Sequence, residues 1–178
     1  LGASVTANYD VRRVVRPHLE ALHVQTGSVV TLGIRDGDVG IYIDKIEPAD
    51  LVIRLHSEVG KCFPLPCTGL GKVLLAHSEP ATINRVARRK LPAYTENTIT
   101  DGQALRDELD AVVEQGFGVD REEITRGLTC IAAPIYGVRG DVVAALSCTI
   151  SSFDASAERL ATVAELVRQC AASASAHN

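Results

Sequence analysis

The sequence has no tryptophan or methionine and only three Phe and four Tyr. That scarcity argues against exposed ring platforms of the kind that stack single-stranded nucleic acid. It has no basic excess either. The net charge is −4 and the pI is acidic, whereas a chain that neutralises phosphates carries surplus Lys and Arg. Taken alone, it is not expected to bind DNA or an anionic membrane. No apolar run reaches the roughly 18 residues of a membrane helix, and no signal-peptide pattern is present. Cysteines stand at 62, 67, 130, 148 and 170, with no Cys-x-x-Cys pair. An odd, unpaired set points to a reduced, cytoplasmic setting with neither a disulfide framework nor a zinc site. The five histidines lack ligand spacing, since His18 and His23 are five apart instead of the four of a helical metal pair. No cofactor or metal is expected.

What is present suffices for one folded domain. The chain has 178 residues, 46% of them apolar, which favours a single domain spanning 1–178. The chain starts at Leu1 with no initiator, which suggests a fragment with something missing in front.

Asp10 to Arg16 reads as helical, with a fresh start at Pro17, Leu19, Leu22 and Val24 facing inward, and Gly27 as the stop. Two alternating runs follow. Val30, Leu32 and Ile34 share one face, Val39, Ile41 and Ile43 another, and Asp36-Gly-Asp38 forms the hairpin turn between them. A third strand fits Leu51 to Leu55. Thr68 to Ala76 reads as a cap and loop feeding a short buried helix, and Glu79-Pro80 opens another carrying Ile83, Val86 and Ala87. After a loop over 90–98, Thr100 and Gln103 form a capping box for a helix with Leu105, Leu109, Val112 and Val113 on its apolar stripe, closed by Gly116. Strands fit Phe117 to Glu122, Cys130 to Tyr136 and Val142 to Thr149, with Val138-Arg-Gly-Asp141 as a turn. A last helix carries Leu160, Val163, Leu166 and Val167, and the tail from Ala171 is expected to fray. The class is α+β: about six antiparallel strands flanked by helices.

Three ordered segments carry a family resemblance: Gly60-Lys-Cys-Phe-Pro-Leu-Pro-Cys-Thr-Gly-Leu-Gly-Lys-Val-Leu-Leu-Ala76; Gly116-Phe-Gly-Val-Asp-Arg-Glu-Glu123 with Gly127-Leu-Thr-Cys-Ile-Ala-Ala-Pro134; and Gly140-Asp-Val-Val-Ala-Ala-Leu-Ser147. Together they resemble the effector-binding domain of IclR-type bacterial transcription regulators, over nearly the whole chain. The resemblance implies a GAF-like fold and a dimer or tetramer. It also implies a winged helix-turn-helix preceding Leu1 that contacts operator DNA, and a cavity for a small effector, commonly an organic or aromatic acid.

The effector-contacting positions it implies are Gly69, Leu70, Gly71, Asp120, Cys130, Ser147 and Thr149, with Val52, Leu55, Phe63 and Leu128 lining the pocket. The chemistry agrees. Glycines before a helix allow a close backbone approach, and the free amides and positive dipole end suit a carboxylate. Ser147 and Thr149, two apart on a strand, share a face and can donate to a carboxylate. An ionised Asp120 would repel that carboxylate, so its expected role is to orient backbone donors or accept from a ligand hydroxyl. The alternative for each is ordinary structure: a tight loop–helix junction at Gly69–Gly71, core filling elsewhere. The glycine loop is not a phosphate loop, because Pro66 stands where that motif needs Gly and Val73 where it needs Ser or Thr.

The chain departs from the family pattern in Pro66 for a frequent His, Gly69 for a frequent Ala, and Cys148-Thr-Ile-Ser-Ser152 before a usual Gly-Pro turn. These departures bear on effector identity. Arg85, Arg88, Arg89 and Lys90 form a basic cluster, read as a solvated helix face with a partner or anion contact as the alternative. Two other functions stay open: a GAF-like module for a nucleotide or tetrapyrrole, and an enzyme with Cys130 as nucleophile, for which only His56 stands near as a base.

Overall fold

The computed structural model describes residues 2–50 and 57–176, with side chains from Asp10 onward. Among the described residues, six antiparallel strands form one sheet in the order β3-β2-β1-β6-β5-β4. They are β1 (Val29–Asp36), β2 (Val39–Ile46), β3 (Cys62–Pro64), β4 (Gly118–Arg121), β5 (Leu128–Tyr136) and β6 (Val142–Ser151). Helices α1 (Gly2–Thr26) and α5 (Ala157–Ser175) cover one face. Helices α2 (Gly69–Ala76), α3 (Pro80–Ala87) and α4 (Gly102–Gln115) belong to the other.

Alternation along each strand sorts side chains into two cores. Val30, Leu32, Ile131, Ala133, Leu146 and Cys148 join Leu19, Leu22, Val163 and Val167 on the α1/α5 side. Ala132 and Ala145 join Leu70, Val73, Leu105 and Leu109 on the α2/α4 side. Each strand at the centre of the sheet is therefore buried on both faces, as the unbroken burial over the first six residues of β1 shows.

Several sequence expectations are corrected. Pro17 starts no new helix and lies inside a continuous α1. Val24 is 81% exposed because it falls two positions past Leu22, off the buried stripe. Val113, next to buried Val112, is 51% exposed for the same reason. The cap of α4 is Asp101, whose Oδ accepts from the Ala104 amide at 2.8 Å. A side chain at Gly102 would lie 2.1 Å from the Ala87 carbonyl oxygen, so α3 and α4 meet backbone to backbone there. The C-terminal segment does not fray at Ala171. Helix α5 runs to Ser175, Ala171 and Ala174 are buried, and the Ser175 hydroxyl accepts from the Tyr136 amide at 2.9 Å. The expected strand over 51–55 lies outside the described residues, and the strand beside β2 is β3. In the basic cluster, Arg85 and Arg89 pair with Asp38 in the β1–β2 turn.

Candidate functional site

The site is built where α2 starts. The Thr68 hydroxyl donates to the Pro64 carbonyl at 2.8 Å and accepts from the Gly71 amide at 3.0 Å. This cap satisfies the third amide of the helix, while those of Gly69 and Leu70 have no intrahelical acceptor. Gly69 lies so close to β5 that a Cβ there would stand 3.0 Å from the Cys130 carbonyl oxygen. The positive end of α2 is thereby set against the sheet.

The strands bring their own row to this point. Asp120 pairs with Cys130, and Cys130 with Thr149. One pleat further, Ser147 pairs with Thr31, and their hydroxyls bond at 2.7 Å. The result is a cavity of about 330 Å³, at the lower end of small-molecule sites. Of the residues singled out from the sequence, Gly69, Leu70, Asp120, Cys130, Ser147, Thr149, Phe63 and Leu128 line it. Gly71 is absent from the lining. Its amide is held by Thr68, and a Cβ on it would strike Leu65 at 2.4 Å, so it serves close packing. Val52 and Leu55 lie outside the described residues, as does His56.

The sequence reading missed Thr31, Tyr42, Tyr94, Ile124 and Thr125, which also line the cavity. Thr31 had a signal, as the polar residue inside the apolar run from Val29 to Ile34. Tyr42 packs against Phe63 in a tilted arrangement, with ring centroids 4.5 Å apart. Tyr94 comes from the loop before α4, which is tied to the loop after β4: the Thr95 hydroxyl donates to the Glu122 carbonyl at 2.6 Å, and Thr98 to that of Glu123 at 2.5 Å.

Beneath the site lies a buried charge cluster, also missed. Lys72 on α2 is 1% exposed. Its ammonium donates to Glu123 at 2.5 Å, Glu108 at 2.8 Å and the Val119 carbonyl at 2.9 Å, using all three protons. Its signal was a lysine ahead of the apolar run Val73-Leu-Leu75.

Burial raises the Asp120 carboxyl to about 7; the neighbouring Glu123 charge adds to the rise, while the Glu123 amide and Lys72 oppose it. Asp120 accepts from that amide at 2.7 Å, which fixes the turn after β4. Burial pushes the Cys130 thiol up to about 12, and the charge of Asp120 adds to it. The thiol stays protonated at neutral pH, the wrong state for a nucleophile. Among the described residues, no group of His, Cys, Asp or Glu is placed to hold a metal ion, and no helix is long and apolar enough to cross a membrane.

Comparison with known proteins gives this geometry a context. The family model "Bacterial transcriptional regulator IclR C-terminal" matches residues 3–176. The transcriptional repressor YiaJ of Escherichia coli is 32% identical over 155 residues, 85% of this chain and 55% of the relative. The Escherichia coli regulator KdgR is 37% identical over 161 residues, 90% of this chain and 61% of the relative. The chain thus spans about three-fifths or less of these two relatives. The structure of an IclR homologue from Microbacterium hydrocarbonoxydans in complex with 4-hydroxybenzoate has a TM-score of 0.88 at 25% identity, covering 96% of this chain and 68% of that one. The relatives are named as regulators and repressors of transcription, and the chain belongs to the IclR family, whose C-terminal domain it comprises.

Proposed function

We propose that this domain senses a small organic or aromatic acid and controls DNA binding by a winged helix-turn-helix segment N-terminal to it, in a cytoplasmic homodimer or homotetramer. The observation that carries the reading is the juxtaposition of the α2 N-terminus, where the Gly69 and Leu70 amides lack an intrahelical acceptor, with the Ser147 and Thr149 hydroxyls in one largely apolar cavity. An acid's carboxylate suits the amides and hydroxyls, and its carbon frame suits Phe63, Leu70 and Leu128. The complex of a related protein with 4-hydroxybenzoate supports the ligand class.

A thermal-shift panel of organic and aromatic acids tests it, with nucleotides, porphyrins and divalent metals as controls. An acid at 100 times its Kd should add about 2.7 kcal/mol, or roughly 5–10 °C in a domain of this size. Ser147→Ala should weaken binding roughly tenfold, the worth of one hydrogen bond to a charged group, and should lower the melting temperature of the free protein by a few degrees, because the buried Thr31 hydroxyl loses its partner. Response to nucleotides or porphyrins alone would move the cavity to another ligand class, and turnover or a Cys130 adduct would make it catalytic.

The carboxyl of Asp120 sets a pH dependence. Below pH 7 it is neutral and can donate to an anionic ligand; above pH 7 it repels one. Titration calorimetry should find an acid bound more tightly at pH 6 than at pH 8, with the difference largely gone in Asp120→Asn. Stability carries the same mark. With its folded value raised, the proton is held by the folded state, so stability falls as pH rises from about 4 to about 7. Retention of the full pH 6 to pH 8 difference in Asp120→Asn would assign it to another group.

A further inference from the structure

We infer that Asp44 is a positioning residue that ties the wall of the effector cavity to helix α1. The inference rests on the reading of the cavity as the effector site and of α1 as the element nearest the DNA-binding segment.

The pairing of β1 with β2 is interrupted by a bulge. Leu32 faces Asp44 and Gly33 faces Tyr42, which leaves Ile43 without a partner of its own. In a regular strand Tyr42 and Asp44, two residues apart, would share a face. One extra residue reverses that. Tyr42 therefore lines the cavity, while Asp44 stands opposite Leu32, a residue of the α1/α5 core.

Asp44 is 1% exposed, and a carboxylate buried that deeply needs charged partners. Both come from α1. Arg16 Nη1 donates to Oδ1 at 2.7 Å, and Arg12 Nε forms an ion pair with Oδ2 at 3.4 Å. The two arginines are one turn apart on the same helix face. The Lys45 amide adds a bond to Oδ1 at 2.9 Å, anchoring the carboxylate to the strand just past the bulge. Oδ2 is buried and accepts no hydrogen bond, so the hold on Arg12 is looser than that on Arg16.

The next residue of α1 is Pro17. It has no amide hydrogen, so the Arg13 carbonyl loses its intrahelical donor. The turn that Asp44 grips is thus the turn with the weakest backbone ladder. A ligand that displaces Tyr42 moves β2 at its bulge, and Asp44 passes that displacement to Arg12 and Arg16, ahead of the proline.

Hydrogen exchange on the protein without ligand tests this, using Tyr42→Ala to disturb the cavity wall. Coupling between sites is reciprocal and measurable as non-additivity. Tyr42→Ala should speed exchange of the α1 amides from Arg12 to Leu22 about tenfold. In an Asp44→Asn background the same substitution should add nothing further there. Should Asp44→Asn not fold, Arg12→Gln/Arg16→Gln removes the same contacts from the helix side and should likewise abolish the response. A merely structural Asp44 would leave the Tyr42→Ala effect intact in either background, which would overturn the inference, as would unchanged α1 exchange in Tyr42→Ala alone. Because no ligand is involved, failure here is separate from failure of the acid panel.

Discussion

Lys72→Met should lower the melting temperature by roughly 6–20 °C, the equivalent of about 3–5 kcal/mol. The side chain fits by volume, so packing is not the cause. The loss comes from Glu123, buried and left without its counter-ion. One Glu123 oxygen has no hydrogen-bond partner, and without Lys72 the other keeps only the Arg121 amide, at 3.3 Å. Glu108 is only part-buried and can turn to water. The double variant Lys72→Met/Glu123→Gln should therefore recover most of the lost stability, a large non-additivity that calorimetry on the four proteins would measure. A Lys72→Met protein as stable as the parent would show that the cluster contributes nothing to the fold.

Gly71→Ala is the second large effect. The added methyl would lie 2.4 Å from the Leu65 carbonyl oxygen, 2.5 Å from its Cα and 2.5 Å from the capping Thr68 oxygen. Two of these neighbours are backbone atoms, so α2 must shift bodily. A cost of about 2–3 kcal/mol is expected, roughly 4–12 °C in melting temperature. Because the start of α2 forms part of the cavity, acid binding should weaken more than tenfold along with it. Gly69→Ala is the contrasting case. Its nearest contact is 3.0 Å, to the Cys130 carbonyl, so it should alter binding while moving the melting temperature by only a few degrees. Equal loss of stability in the two variants would refute this division of roles.

Why some of this was legible in the sequence, and some not, follows from the range of the forces involved. The β1–β2 hairpin was legible because the turn residues and the alternation are local, and Gly37 takes the positive φ such a turn requires. The cap at Thr68 was legible for the same reason. Ser147 and Thr149 share a face by strand geometry alone, so they enter the cavity together. Tyr42 was hidden because only the pairing register reveals the bulge that turns it. The buried Lys72 cluster joins residues 36 and 51 positions apart, beyond any window of periodicity. Pro17 misled because its local preference for a first turn was overridden by packing of residues on both sides of it, Val15 and Leu19, into one core. Gly71 was placed with its neighbours in the loop, and only the proximity of Leu65 separates it from them.

The burial of β6 on both faces constrains how such a domain can change its chemical preference over evolutionary time. Ser147 and Thr149 alternate with Leu146, Cys148 and Ile150, which belong to the opposite core. Exchange of every second residue can remodel what the cavity recognises while the scaffold behind the sheet keeps its side chains. Insertion or deletion of a single residue within the strand has the opposite outcome. It carries the hydroxyls into the α1/α5 layer and the large apolar groups into the cavity, ruining recognition and scaffold in one event. Divergence of preference within this strand should therefore proceed by substitution at alternate positions, with changes of length confined to the connecting loops.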